Sequence, residues 1–133
     1  MSRADLELVT QVARLLGREI LRVDDDGTLH ARFLARPEFA DRHGTVQGGI
    51  VSAMLDSAVS AVLLAQLPDD LTSMTVRLET EFLRPAPLSV LHAKAWLMTR
   101  DERSATTRGE LSAPDGTTVA AATAHLRILP RKR

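Results

Sequence analysis

Residues 50–67, IVSAMLDSAVSAVLLAQL, decide the architecture. Almost every position is Ala, Val, Ile, Leu or Met, and neither Gly nor Pro interrupts the run. Length and polarity first suggest a membrane span. Asp56 near the middle, beside Ser52, Ser57 and Ser60, makes insertion costly, about 3 kcal/mol for the Asp alone. The segment reads instead as a helix of about 17 residues, or ~25 Å, buried in a globular domain and covered on most sides. Ser52, Asp56 and Ser60 recur every four residues and form one polar stripe along it.

Outward from that helix the chain is mostly β. Residues 72–84 alternate, with Met74, Val76, Leu78, Thr80 and Phe82 on one face and Thr75, Arg77, Glu79 and Glu81 on the other. Pro85-Ala86-Pro87 ends the run. Residues 90–99, 103–112 and 117–129 follow as long strands, joined by Arg100-Asp101-Glu102 and Ala113-Pro114-Asp115-Gly116. On the other side, residues 19–24 and 28–35 read as two strands around the tight turn Asp25-Asp26-Gly27. Residues 36–45 are a loop. Residues 3–16 read as an amphipathic helix capped by Ser2 and stopped by Gly17, with Leu6, Val9, Val12, Ala13 and Leu16 inward and Asp5 and Glu7 at its positive end. The fold class is α+β: one antiparallel sheet curved around one long apolar helix, as a single domain over residues 1–133. Such a sheet leaves a long edge, which favours pairing with a second copy.

Composition narrows the function. Lys+Arg and Asp+Glu both number 17, so no basic excess exists to neutralise the phosphates of a nucleic acid. The apolar share of 44% and charged share of 26% are those of a globular protein rather than a disordered or fibrous one. No cysteine is present, which removes disulfides, thiolate metal sites and cysteine nucleophiles. His30, His43, His92 and His125 have no metal-ligand spacing, so no metal is expected. The N-terminus carries charges where a signal peptide needs an apolar core, which points to the cytoplasm. Trp96, on one strand face with Met98, reads as core, and His30, His92 and His125 read as isolated sheet-face residues.

The chemistry converges on residues 39–49, FADRHGTVQGG, and the helix they enter. Gly48-Gly49 lets backbone N–H groups approach a ligand where the first turn leaves them unpaired at the positive end of the helix dipole. Those groups can stabilise negative charge developing on a carbonyl oxygen, or the glycines simply start a tightly packed helix. Asp56 has no Lys or Arg within helical reach. It is either a structural carboxylate bonded to Ser52, Ser60 or a distant Arg, or a functional one. Desolvation makes such a carboxylate a stronger proton acceptor, the property a general base needs. A helix start that polarises a carbonyl, with an acid two turns later, suits acyl transfer.

At these residues the sequence resembles the hot-dog-fold acyl-CoA thioesterases of the phenylacetate-pathway, PaaI-like type. The shared pattern is an amide residue, a Gly, His-Gly-Gly and then an acid after six residues. Here it reads Asp41-Arg-His-Gly44-Thr-Val-Gln47-Gly48-Gly49, residues 50–55, and Asp56. Ser57-Ala58, the segment Phe82-Leu83-Arg84-Pro85-Ala86 and the closing Gly116…Val119-Ala120 extend the likeness over nearly the whole chain. The resemblance implies hydrolysis of an acyl-CoA to free acid and CoA with no metal or redox cofactor, coenzyme A being part of the substrate. It implies Asp56 as general base or nucleophile, the Gly48 N–H on the thioester oxygen, and Ser60 holding the carboxylate or water. Gly49, Ser57, Arg84 and Pro85 are implied in binding, Arg84 at the nucleotide end of the substrate. It further implies a homodimer or dimer of dimers in which the acid and the glycines meet across the interface. Two residues depart from the pattern. Gln47 replaces the usual His and cannot carry a proton, and Asp41 replaces the usual amide, where like charge near Asp56 would make one carboxyl hold its proton. His43 falls one residue off the motif as a displaced catalytic His. The departures keep alternatives open: an acyl-CoA-binding protein without activity, or a hot-dog dehydratase or hydratase.

Overall fold

The computed structural model describes residues 10–132. In chain order these form α1 (Gln11–Leu15), β1 (Glu19–Val23), β2 (Leu29–Leu34), a 3-10 turn (Pro37–Phe39), α2 (Gly48–Leu64), β3 (Leu71–Phe82), β4 (Val90–Arg100), β5 (Ser104–Ser112) and β6 (Thr118–Pro130). The six strands make one sheet in the order β1-β2-β4-β5-β6-β3, and every neighbouring pair is antiparallel. Helix α2 lies across β2 to β6. The α+β reading of a sheet around one apolar helix holds. No described helix is long and apolar enough to cross a membrane.

The close seat of α2 follows from small residues. Its face of Met54, Leu55, Ala58, Val59 and Val62 is fully buried, and the sheet opposes it with Ala93, Ala95, Gly109, Ala120, Ala122 and Ala124. Alanines and one glycine lower the sheet surface, so the helix backbone approaches closely. Gly109 marks the tightest point: a Cβ there would stand 2.9 Å from Val59 Cγ1 and 3.4 Å from the Lys94 carbonyl oxygen. Gly109→Leu is expected to cost about 1–3 kcal/mol through overpacking. The check is urea denaturation, where the midpoint falls with little change of slope; an unmoved midpoint would mean that α2 is not seated there.

Several sequence expectations need correction. Helix α2 starts two residues before residue 50 and ends at Leu64, because Gln47 is extended and residues 65–67 turn toward Pro68. In the first helix the described part is only α1, capped by Thr10, whose hydroxyl accepts from the Ala13 N–H at 3.1 Å. The cap at Ser2, the charges at Asp5 and Glu7, and the inward Leu6 and Val9 lie outside the described residues. Val12, expected inward, is 58% exposed, whereas Ala13 and Leu16 are buried. Gly17 does end this helix, in the left-handed region at φ 63°. Trp96 is not core: it shares the outward face of β4 with His92 and Lys94, whose Nζ stands 5.8 Å from the ring centroid, while Leu91, Ala93 and Ala95 face α2. His30 is not isolated, since its Nε2 lies 2.7 Å from Asp24 Oδ2, and His125 Nε2 stands 3.9 Å from Glu79.

Strand β3 departs from simple alternation. Thr75 pairs with Leu126 and Arg77 with His125, so Val76 has no partner of its own and forms a bulge. One extra residue reverses which face follows. Leu78 and Thr80 face α2 as expected, but N-terminal to the bulge it is Thr75 that turns inward, while Met74 and Val76 are about half exposed. That reversal builds the site.

Candidate functional site

The polar stripe of α2 faces β3, and hydroxyls meet it at each step. Ser52 Oγ donates to Thr80 Oγ1 at 3.1 Å, Thr75 Oγ1 donates to Asp56 Oδ1 at 2.8 Å, and Ser60 Oγ lies 3.3 Å from Thr75 Oγ1. Thr75 and Thr80 are five residues apart and would lie on opposite faces of a regular strand; the bulge at Val76 lets both reach one helix. A hydrogen bond to an ionised carboxylate contributes about 1.5–3 kcal/mol, enough to hold Asp56 in one orientation. Asp56 lines a cavity of about 370 Å³ between α1, α2 and the start of β3, together with Arg18, Ser57, Ser60 and Ser73. Arg18 Nη1 donates to Ser57 Oγ at 3.1 Å, and burial lowers the pKa of its guanidinium.

A second cavity, of about 440 Å³, lies at the other end of α2. Asp41, His43, Gly48, Phe82, Arg84 and Pro85 line it. Gly48 is the first residue of the helix, and its N–H has no partner within the first turn. Asp41 is occupied by its own loop: its carboxylate accepts from the N–H of His43 at 2.8 Å, the N–H of Thr45 at 3.2 Å and the Thr45 hydroxyl at 3.1 Å. Desolvation acts to raise its pKa, but these bonds outweigh it and hold the carboxyl below the usual range. Arg84 Nη1 donates to the Thr118 carbonyl at 3.0 Å, which ties the segment after β3 to β6.

The sequence candidates therefore separate into two groups. Asp56, Ser57 and Ser60 share one cavity; Asp41, Gly48, Arg84 and Pro85 share the other, and His43 joins them although it sits off the motif. Gln47 and Gly49 are exposed at the helix start and line neither. Asp41 and Asp56 do not face one another. Gly48 and Asp56 are eight positions apart, a rise of about 12 Å, too far for both to act on one carbonyl from a single chain. Two site residues escape a reading by periodicity. Thr75 is hidden by the bulge, and Arg18 reaches Ser57 from 39 positions earlier in the chain.

A sheet wrapped around one helix, with glycines at the helix start and an acid within it, defines a hot-dog protein of the PaaI-like thioesterase type. Residues 43–120 match the thioesterase superfamily, and the chain belongs to that family. It is similar to a phenylacetic acid degradation-related protein from Ralstonia eutropha JMP134, with 38% identity over 90% of each chain and a TM-score of 0.86. A Bacillus halodurans protein whose crystal structure includes CoA is 26% identical, over 95% of this chain and 82% of that one, with a TM-score of 0.80. The PaaI protein of the Escherichia coli phenylacetic acid degradation operon shares the fold at 19% identity, over 95% and 89% of the two chains, with a TM-score of 0.83. Curated protein sequences give no match.

Proposed function

We propose that this protein hydrolyses an acyl-CoA thioester to the free acid and CoA, in a site shared between two copies of the chain. The observation that carries the reading is Asp56, whose carboxylate is held by Thr75 at 2.8 Å and which lines a cavity. Asp56 acts as general base on water, or as the nucleophile itself. The attacked carbonyl gathers negative charge on its oxygen, which the Gly48 N–H of a second copy stabilises. Collapse of the tetrahedral intermediate expels the CoA thiolate; where Asp56 is the nucleophile, water then hydrolyses the acyl-aspartyl anhydride to the free acid and restores the carboxylate.

The sheet edge supports the shared site. β3 is an edge strand, with exposed Met74, Val76 and Phe82. Its start lines the Asp56 cavity and its end lines the Gly48 cavity. Antiparallel pairing of two β3 strands about a two-fold axis sets the start of one against the end of the other. The Asp56 cavity of one copy thereby meets the Gly48 cavity of its partner, twice per dimer.

Hydrolysis of short, medium, long and aromatic acyl-CoAs, followed by thiol release, tests the activity. Gln47, exposed beside Gly48 and making no side-chain cap bond, would donate its amide to the thioester oxygen only where the partner copy completes the site. Gln47→Ala is then expected to raise the barrier by about 1–2 kcal/mol, one neutral hydrogen bond, and Gln47→His to retain or raise activity. A loss of about 10⁴-fold in folded Gln47→Ala, far beyond one such bond, would assign Gln47 a different role. An acyl-CoA-binding protein without activity would bind these thioesters in calorimetry and release no thiol.

A further inference from the structure

The cavity that holds Asp56 has apolar walls from Val12, Ala53, Ala61 and Leu64, and into them it brings one cation and several hydroxyl residues. Small-molecule pockets are mostly apolar, with a few placed polar groups. Here the polar residues are Thr10, Ser57, Ser60, Thr72 and Ser73, together with Arg18. Arg18 stands just before β1, directly after Gly17, whose backbone is left-handed. Its one side-chain bond among the described residues is Nη1 to Ser57 Oγ at 3.1 Å, and no described carboxylate forms an ion pair with it. A guanidinium carries five N–H donors in a planar fork suited to a carboxylate. One donor is used. Burial disfavours the charge and so favours an anionic partner.

Resting on the acyl-CoA reading above, we infer that Arg18 binds a carboxylate on the acyl chain, so that the preferred substrates are short dicarboxylic acyl-CoA thioesters. The anion belongs to the acyl part because Asp56 in the same cavity must stand at the scissile carbonyl. The CoA phosphates lie beyond the extended pantetheine arm, on the opposite side of that carbonyl. The cavity hydroxyls complete the solvation of the second carboxylate, which an apolar wall would reject.

Glutaryl-CoA and valeryl-CoA test this directly, since they match in chain length and differ in a terminal carboxylate against a methyl. The wild-type protein is expected to favour glutaryl-CoA in kcat/KM. Arg18→Gln should lower the glutaryl-to-valeryl ratio by about 10- to 100-fold, the scale of charge-assisted hydrogen bonds to a carboxylate, and Arg18→Lys should restore part of it. A ratio unchanged in Arg18→Gln, with both substrates falling together, would overturn the inference and place Arg18 on a CoA phosphate or in positioning Ser57. Ser57→Ala separates those two, since it reproduces the common loss only in the second case. Calorimetric binding of both thioesters to Asp56→Asn protein reads the same ratio without turnover. If no acyl-CoA is hydrolysed while that binding ratio still depends on Arg18, the hydrolysis reading fails and the specificity inference stands.

Discussion

Asp56→Asn is expected to lower acyl-CoA hydrolysis by at least about 10²-fold, the lower end for a lost general base. Asparagine keeps the size of the side chain and can still accept the Thr75 hydroxyl, so the 2.8 Å contact to β3 survives. What disappears is the charge that, in the proposed mechanism, takes a proton from water or attacks the carbonyl. Melting temperature is expected to hold or rise, because a half-buried carboxylate without an ion pair among the described residues has been neutralised. A purely structural Asp56 predicts the opposite pair of results, lower stability with unchanged turnover per folded molecule. Single-turnover hydrolysis and thermal melting on one preparation separate the two.

Gly48→Pro is the matching change at the other end of α2. Proline at the first helical position removes one N–H that the helix does not use, and its fixed φ suits the first turn. Gln47 before it is already extended, at φ −53° and ψ 135°, as a residue preceding proline must be. A Cβ at Gly48 meets Phe82 Cε1 only at 3.5 Å, ordinary van der Waals contact. The fold is therefore expected to survive while a donor to the developing oxyanion is lost, at a cost of about 10²–10³-fold in kcat. Stopped-flow thiol release under saturating substrate measures it. Full activity in folded Gly48→Pro would remove this N–H from the mechanism.

The long helix and the strands along the chain were legible because they rest on local pattern: an unbroken apolar run, alternation between turns, and glycines where the backbone goes left-handed. The order in which the strands pair was not, since β2 beside β4 and β3 beside β6 are set by tertiary contact. Asp56 was legible for the same reason, as a charge in a segment that otherwise excludes charge. Thr75 was not. Its face depends on a single unpaired residue, Val76, and period-two reading carries no signal for a bulge in a strand whose residues are all strand formers. Trp96 misled because size and apolarity suggest burial, whereas the alternation set by Leu91, Ala93 and Ala95 sends it outward. Asp41 could be read as a partner or rival of Asp56, but the three residues after it turn back so that His43 and Thr45 consume its oxygens. Arg18 joins Ser57 through tertiary contact alone, and no spacing in the chain announces it.

The central claim is that one copy supplies Asp56 and another supplies Gly48. Coexpression of Asp56→Asn and Gly48→Pro chains with two different tags, followed by tandem purification, yields dimers containing one of each. A shared site leaves one of the two sites in each mixed dimer with both native residues and the other with neither. The mixed dimer is then expected to recover about half of the wild-type activity per dimer, although each variant alone is nearly inactive. Mixed dimers no more active than the two parent variants would contradict the account, since a site held within one chain would be damaged in both copies.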